Sequence, residues 1–230
     1  MRQRLKVTAR DNLETANEAH PVGQRKSKAA RCPTCGLHIA LCVCPSMPHF
    51  ALATKLLIVQ HHRERHKPTN TARIGLQMFA GAQMVHYGAR DTPMDCDPLR
   101  RPDHDYILLF PGDEALPLRD APAPTAGRTR MLMVLDGTWH QCSRMARRAP
   151  IVAEMPRYTL PDGPPSRWRI RKAPRPEALS TFEAICRATS VLSKDDPQDS
   201  FDHETVLSWF DMLVARMWQM RGTKPPRDEP

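Results

Sequence analysis

The chain has 230 residues, 40% of them hydrophobic, which suits one globular domain with at most a small appendage. Lysine and arginine outnumber aspartate and glutamate by 34 to 25, and the formal charge of +9 points to polyanionic partners. No apolar run approaches the roughly 18 residues that a membrane-spanning helix needs, so the composition excludes a membrane protein, as it excludes a fibre and a fully disordered chain.

Residues 1–30 are polar and show no sustained hydrophobic period. Up to Arg31, this segment holds eight basic residues against three acidic ones. The pattern predicts a flexible, solvated basic arm, with a nucleic-acid-binding arm as the functional alternative. The segment lacks the apolar stretch of a secretory signal, so we expect a cytoplasmic protein. Residues 222–230 are expected to form a C-terminal tail.

Four cysteines lie within 13 residues in the pattern C-x2-C-x6-C-x-C: Cys32, Cys35, Cys42 and Cys44. Short loops can carry four thiolates close enough to share one ion, and four sulfur ligands suit tetrahedral zinc. The spacing therefore predicts a zinc knuckle over residues 31–48, structural because no coordination position stays open. An iron–sulfur cluster, four free thiols, or His38 in place of one cysteine are the alternatives.

Residues 49–221 alternate between short apolar runs and segments of helical period. The apolar runs predict strands at Lys55–Gln60, Met84–Tyr87, Tyr106–Phe110, Met131–Leu135 and Arg157–Leu160. Helical spacing predicts helices at Thr71–Phe79, Trp139–Arg148, Leu179–Ser193 and Phe201–Arg221. Near-continuous apolar runs are typical of strands covered on both faces, and interleaved helices are typical of parallel sheets. We therefore expect an α/β domain with a mainly parallel sheet.

A polar turn follows the predicted strand Met131–Leu135. Asp136, Gly137 and Thr138 form this turn, and Trp139 opens the next helix. In parallel α/β sheets, ligands bind beyond the carboxyl ends of strands, where helix N-termini offer free N–H groups. A carboxylate at this position can act as a general base. Helix capping by Asp136 or Thr138, with Trp139 in the core, is the structural alternative.

Positive charge is concentrated in residues 128–176, which hold eleven lysines and arginines against three acidic residues. Arg144, Arg147 and Arg148 cluster on one face of the helix that Trp139 opens. Binding to a nucleic-acid backbone requires a positive surface of this kind, and a merely solvated basic surface is the alternative. The acidic stretch Asp195–Asp211 indicates that the basicity is local.

Four separated segments resemble the DTW-domain family, which is named for an Asp-x-Thr-Trp signature. They are the cysteine cluster, the His-x-x-Glu and Asn-Thr segment His61–Ala72, the signature Asp136–Trp139, and the Arg-Lys and Ser-Thr-x-Glu-Ala block Arg169–Ala184. Leu109–Ala115 also resembles a turn of the family. The resemblance covers roughly residues 32–188, and the order of the segments matches the bacterial tRNA-uridine aminocarboxypropyltransferases best. His62 stands where proline is common in these proteins.

The resemblance implies a fold related to the knotted SPOUT methyltransferases. It also implies an enzyme that transfers the 3-amino-3-carboxypropyl group of S-adenosylmethionine to N3 of a uridine in the tRNA variable loop and releases methylthioadenosine. S-adenosylmethionine and structural zinc are thus the expected cofactors, and tRNA is the expected partner, with no membrane association.

The resemblance and the residue types together assign three groups of site residues. The expected catalytic residues are Asp136, Thr138 and Trp139. The expected donor-binding residues are Asn70, Thr71, Pro111, Gly112, Leu135, Ser180, Thr181 and Glu183. The expected RNA-binding residues are His61, Arg144, Arg147, Arg148, Arg169, Arg171 and Lys172.

Several of these residues have more than one chemical interpretation. Asp136 can take the imide proton of uracil or bind the donor's amino group, and Trp139 can stack on a base or pack in the core. The donor must be held by its amino-acid end so that its γ-carbon, not its methyl group, faces the nucleophile. Ser180 and Thr181 can bind the donor carboxylate, although Ser180 can instead form a capping box with Glu183.

Two further interpretations concern charged residues. Glu183 can also pair with Arg187 four residues later on a helix surface. Arg169, Arg171 and Lys172 lie in a short strand-like run and can bind either tRNA phosphates or the donor carboxylate.

Two other functions are compatible with the sequence. An S-adenosylmethionine-dependent RNA methyltransferase needs the same donor pocket and the same basic face. A non-enzymatic zinc-knuckle RNA-binding protein needs only the basic residues, and the Asp136 turn would then have no role. The chemical identity of any group added to RNA separates these functions.

Overall fold

The computed structural model describes residues 30–171, 175, 177–195 and 199–223. Within these residues, strands alternate with helices. The strands are β1 (Lys55–His61), β2 (Gln83–Tyr87), β3 (His104–Leu109), β4 (Leu116–Pro117), β5 (Thr129–Asp136) and β6 (Arg157–Thr159). The α-helices are α1 (Ala72–Met78), α2 (Trp139–Arg148), α3 (Thr181–Leu192) and α4 (His203–Arg221).

The strands form one parallel sheet in the order β2-β1-β5-β3-β6-β4. β5 lies between β1 and β3, and its residues Met131–Asp136 are all buried, as expected for a strand covered on both faces. The register of β1 and β5 pairs Gln60 with Asp136. Two polar side chains therefore lie near the carboxyl ends of neighbouring central strands, at the same edge of the sheet.

Helices cover both faces of the sheet. Ile58 and Leu132 pack in an apolar cluster with α1, α3 and α4, whereas Leu57 and Met133 pack in a second cluster with α2. Adjacent residues of one strand enter opposite clusters because side chains alternate between the two faces of a sheet. The sheet is therefore fixed from both sides, and so are the strand ends that carry polar residues.

The cysteine segment packs into the first of these clusters. Cys35, Leu37 and Val43 are buried together with apolar residues of α4. The indole N–H of Trp209 donates a hydrogen bond to the carbonyl oxygen of Val43 at 3.1 Å. The knuckle is thus docked on the last helix, while the domain boundary near residue 48 stays a prediction.

The α/β fold with a parallel sheet is confirmed, and the helix Trp139–Arg148 has the predicted bounds. The two-residue strand Leu116–Pro117 was not predicted because it is too short to show a hydrophobic period. The strand-like interpretation of residues 169–172 is wrong for its described part, since Arg169 and Ile170 lie in a turn. The relation to the SPOUT fold stays a prediction.

Some predictions lie outside the described residues. These are the basic arm up to residue 29, Lys172, and residues 224–230 of the tail. No helix in the described part of the chain has the length and apolar character needed to cross a membrane.

Candidate functional site

Three side chains donate hydrogen bonds to the carboxylate of Asp136. Gln60 Nε2 and Asn70 Nδ2 donate to Oδ2 at 2.9 and 2.6 Å. Thr181 Oγ1 donates to Oδ1 at 2.7 Å. Asp136 is only 3% exposed, so these donors replace the water that an exposed carboxylate would bind. A carboxylate offers about four acceptor positions, and this arrangement leaves one of them, on Oδ1.

A separate chain segment supplies each donor. Gln60 is the last but one residue of β1 and pairs with Asp136, Asn70 lies two residues before α1, and Thr181 is the first residue of α3. The sequence predicted site roles for Asn70, Asp136 and Thr181 but missed Gln60. The signal was present, because Gln60 directly follows the apolar run Leu56–Val59 of β1, and a buried polar group requires a hydrogen-bonding partner.

Two cavities of about 490 Å³ each meet at the turn that follows Asp136. Both volumes fall in the range of small-molecule sites. The residues that line both cavities are Gly137, Trp139, Leu179 and Thr181. Most residues that line the first cavity are apolar, among them Leu109, Phe110, Pro111, Leu135, Tyr158 and Leu160, and the charged residues Asp162, Glu177 and Arg187 line it as well. The walls of the second cavity are made mostly by polar residue types, among them Thr69, Asn70, Asp136, His140, Ser166, Arg171 and Ser180.

Trp139 stands at the junction of the two cavities. Its side chain is half-buried, and its ring centroid lies 6.1 Å from that of Phe110. The guanidinium carbon of Arg175 lies 5.8 Å from the centre of the Trp139 ring. The indole therefore forms a cavity wall rather than part of the core, and its surface is available for stacking.

The turn before Trp139 is fixed by a capping box. Thr138 Oγ1 accepts from the backbone N–H of Gln141, and Gln141 Oε1 accepts from that of Thr138. The expected capping role of Thr138 is confirmed. A Cβ on Gly137 would lie 3.0 Å from that of Gln141, so the close approach of this side chain favours glycine.

A second capping box begins α3. The carboxylate of Glu183 accepts hydrogen bonds from the backbone N–H of Ser180 and from the hydroxyl of Ser166. The capping interpretation of Ser180 and Glu183 is confirmed, and the pairing of Glu183 with Arg187 is wrong. Arg187 instead donates to the carbonyl oxygen of Pro164 at 2.7 Å because α3 turns its side chain towards residues 163 and 164.

The cysteine cluster has the geometry of a metal centre. The four sulfur atoms lie within 4.8 Å of one another, with 3.7 Å between Cys32 and Cys44 and 3.8 Å between Cys35 and Cys42. A tetrahedron with Zn–S bonds of about 2.3 Å has edges of about 3.8 Å. The group that could hold a metal ion consists of the four cysteines and does not include His38.

The electrostatics of the cluster differ between its thiols. Burial raises the pKa of Cys35. At Cys32, hydrogen bonds to the backbone of Cys35 and Thr34 outweigh the effect of burial, and the pKa falls to about 7. Metals bind thiolates, so the easy ionisation of one ligand favours metal capture near neutral pH.

Cys142 lines the first cavity but lacks the character of a nucleophile. Burial raises its pKa well above that of a free thiol, and the nearby carboxylate of Asp136 raises it further. Its sulfur lies 3.7 Å from the carbonyl oxygen of Leu135. The thiol therefore stays neutral and serves as a small apolar group.

The predicted basic face is exposed on α2. Arg144, Arg147 and Arg148 line, with His140, a surface cleft of about 320 Å³. His140 also lines the second cavity, so the cleft and that cavity share a wall. A polyanion that follows the cleft would pass the mouth of the second cavity.

The other predicted site residues are more scattered. Thr71 lines the second cavity, but Gly112 lines neither. His61 also lies outside the walls of both cavities. Its ring is tilted by 41° against that of His62, with 4.8 Å between ring centroids. Burial lowers the pKa of His61, which favours the neutral ring. Arg169 is exposed, whereas Arg171 lines the second cavity.

Comparison with known proteins gives one family and several relatives. The sequence model described as the DTW domain matches residues 29–218. The chain is 28% identical over 168 residues to tRNA-uridine aminocarboxypropyltransferase 2 of Drosophila melanogaster, an alignment that covers 70% of this chain and 66% of that protein. Identities to the proteins of the same name are 25% over 172 residues in Macaca fascicularis and 24% over 179 residues in Mus musculus.

These alignments cover 72% and 75% of this chain, and 57% and 60% of the two mammalian proteins. The chain thus spans less than two thirds of the length of the curated relatives it matches. No solved structure shows a significant match.

Proposed function

Because this chain belongs to the DTW domain family, we propose that it is a tRNA-uridine aminocarboxypropyltransferase with S-adenosylmethionine as its donor. The named activity of the relatives suggests this reaction class. The observation that carries it for this chain is the pair of cavities that meet beside a buried, hydrogen-bonded carboxylate.

The reaction requires one substitution at carbon. N3 of the uridine forms a bond to the γ-carbon of the methionine moiety, and the bond between that carbon and the sulfonium sulfur breaks. The electron pair goes to sulfur, methylthioadenosine leaves, and the proton of N3 is lost. A methyltransferase uses the same donor but exposes a different carbon, so the placement of the donor decides the product.

The two cavities suit the two ends of the donor. The first cavity, with the apolar residues Phe110 and Leu160 in its walls, fits the adenosine. The second cavity, which Asp136 and Arg171 line, fits the amino-acid arm. With this placement the γ-carbon lies at the junction beside Gly137 and Trp139, where a uracil stacked on the indole can reach it.

Asp136 has one acceptor position available, and we assign it to the donor's ammonium group. Both oxygens already accept hydrogen bonds, from Gln60 and Asn70 at Oδ2 and from Thr181 at Oδ1. Uptake of a proton would remove acceptor capacity that these three donors use. An ammonium group, in contrast, donates one more hydrogen bond to the carboxylate. With the ammonium bound, the proton of N3 passes to water.

tRNA binding is assigned to the cleft on α2. Its exposed arginines, Arg144, Arg147 and Arg148, suit contacts with phosphates, which supply most of the affinity for nucleic acid. His140 connects the cleft to the second cavity. A nucleotide extruded from the bound strand can therefore enter beside Trp139 while its flanking phosphates stay on α2.

The four cysteines are assigned to structural zinc. Their sulfur–sulfur distances match the edges of a zinc–thiolate tetrahedron. Four protein ligands leave no coordination position for substrate, so the metal supplies folding energy rather than chemistry.

The test uses purified protein, unmodified tRNA, and S-adenosylmethionine labelled separately in its methyl and carboxypropyl carbons. We expect the carboxypropyl label in RNA and methylthioadenosine as the second product. Transfer of the methyl label would instead establish an RNA methyltransferase. RNA binding with no transfer of either label, and with an Asp136→Ala variant that behaves like the wild type, would establish a non-enzymatic binding protein.

A further inference from the structure

We infer that the second cavity recognises the free α-amino-acid end of the donor, where Arg171 binds the carboxylate and Glu64 holds Arg171 in position. This inference depends on the proposed function, because that function names the donor. It assigns Arg171 to the small ligand instead of RNA and gives Glu64, which touches neither cavity, a positioning role.

The charges of the second cavity match those of an amino acid. Among the described residues that line it, Asp136 and Arg171 are the ones with a formal charge at neutral pH. A free amino acid carries one ammonium and one carboxylate, and each opposite charge in the cavity can bind one of them. A cavity for a neutral base alone would need neither.

One nitrogen of the Arg171 guanidinium has no hydrogen-bond partner among the described residues. Its Nε donates to Thr69 Oγ1 at 2.8 Å, and its Nη1 donates to Glu64 Oε2 at 3.3 Å. Its Nη2 is buried and has no hydrogen-bond partner in the part of the chain that the structure describes. A buried donor without a partner is costly, so a ligand carboxylate in the cavity would satisfy it.

Glu64 is suited to hold Arg171 because it is almost fully buried. Its side chain is 1% exposed, and its other oxygen accepts from Lys67. A buried carboxylate is tolerated when it is paired and hydrogen-bonded, as this one is by two cations. Two of the five N–H groups of Arg171 are thereby fixed by Glu64 and Thr69, and its remaining donors have a defined direction.

The position of Arg171 favours a small ligand over an RNA phosphate. The arginines on α2 are exposed on the surface, where a polynucleotide backbone can reach them. The side chain of Arg171 is 37% exposed and lies in the wall of a cavity beside Asp136. A phosphate there would approach the carboxylate of Asp136, whereas an amino acid brings its own ammonium to it.

The test compares two nucleosides that differ in the amino-acid end. S-adenosylhomocysteine carries it and methylthioadenosine does not. We expect the full-length wild-type protein to bind S-adenosylhomocysteine more tightly in calorimetric titrations. Arg171→Gln should reduce this preference by about 10- to 100-fold, the range for one hydrogen bond between charged groups, with methylthioadenosine affinity unchanged. Arg171→Lys should not restore it, because the three donors of lysine lie on one nitrogen and cannot occupy the separate positions of Nε, Nη1 and Nη2.

The positioning role of Glu64 has its own readout. Glu64→Gln should reduce the preference by about threefold to tenfold, less than the loss of Arg171 itself. Arg167→Gln is the matched control, since Arg167 is an ion-paired arginine of the same segment that pairs with Asp211 and lines neither cavity. If Glu64→Gln lowers thermal stability but keeps the preference, the positioning role is refuted.

The remaining outcomes separate this inference from the proposed function. If Arg171→Gln keeps the preference but weakens tRNA binding and flattens its salt dependence, Arg171 contacts phosphate and the inference is wrong, although the proposed function stands. If the wild-type protein binds both nucleosides equally, the amino-acid end is not recognised. If it binds neither, the proposed function fails as well.

Discussion

The cysteine knuckle and the Asp136 site differ in how far apart their parts lie in the sequence. The four thiols come from 13 residues, and short loops bring them together. The donors to Asp136 come from positions 60, 70 and 181, on three separate segments. The knuckle is thus a local motif, whereas the Asp136 site exists only once the parallel sheet and α3 are in place.

This difference determines what each region depends on. The knuckle depends on its ligands, since a metal ion can supply most of the energy that holds a small loop. The Asp136 site depends on strand register and helix packing, because a shift of β1 against β5 would separate Gln60 from Asp136. Damage to the knuckle should therefore appear in stability, and damage to the site should appear in catalysis.

Arg73 connects the two regions. It lies in α1 and donates to the carbonyl oxygen of Pro68, two residues before Asn70. Its guanidinium passes so close to Gly36 that a Cβ on that residue would collide with it, and Gly36 has a left-handed φ of +76°. The knuckle therefore supports the loop that carries Asn70.

The largest expected effect follows from removal of metal ligands. The double variant Cys35→Ser with Cys42→Ser should lose the metal and about 4 kcal/mol or more of unfolding free energy, since the knuckle belongs to the main core. Metal analysis and urea unfolding measure both. Cys96→Ser, which alters a thiol outside the cluster, is the control and should behave like the wild type. A double variant of unchanged stability would show that the knuckle needs no metal.

The next effect should appear in catalysis alone. Asp136→Asn should lower kcat/KM by about 100-fold, or about 2.7 kcal/mol. The amide oxygen would accept from Gln60 and Asn70, so the amide NH2 would replace Oδ1 and could not accept a hydrogen bond from an ammonium group. Donor KM should rise, while tRNA affinity should be unchanged. The exposed Asp120→Asn serves as the control. A loss confined to kcat, with donor affinity intact, would restore the general-base role.

A third variant tests whether the exposed arginines of α2 bind tRNA. Replacement of Arg144, Arg147 and Arg148 by glutamine should weaken tRNA binding by about tenfold. The slope of log K against log salt concentration should fall in magnitude by about 2 to 3, because each phosphate contact contributes about 0.7 to 0.9 to that slope. Titrations at several salt concentrations measure the slope. A control triple variant carries glutamine at the exposed residues Arg100, Arg101 and Arg119. Equal slopes in the two variants would exclude α2 as the tRNA surface.

The smallest expected effect concerns Gln60, which was not predicted from the sequence as a site residue. Gln60→Met removes one donor to Asp136 and keeps the size of the side chain, so kcat/KM should fall by about fivefold, close to the value of one hydrogen bond. Steady-state kinetics measure the change, and Gln77→Met on the exposed side of α1 is the control. Full activity of Gln60→Met would mean that Asn70 and Thr181 hold Asp136 without it.

The sequence was informative where the pattern is local. Residue types and spacing predicted the bounds of α2, the helix caps Thr138 and Ser180, and the cysteine cluster. Apolar runs located β1, β3 and β5 because strands buried on both faces leave that pattern.

Non-local relations were not readable in this way. Nothing in the spacing indicates that Gln60 pairs with Asp136, because strand order and register depend on packing of the whole sheet. The ion pair between Glu64 and Arg171 joins residues 107 positions apart and was missed for the same reason. Arg171 consequently had two interpretations from sequence, and only its place in the cavity wall favours one.

A crystal structure with bound S-adenosylhomocysteine tests the central claim most directly. The account predicts the adenosine in the first cavity beside Phe110, the sulfur next to Gly137, and the amino-acid end between Asp136 and Arg171. Electron density for the nucleoside at a place remote from residues 135–139 would contradict it.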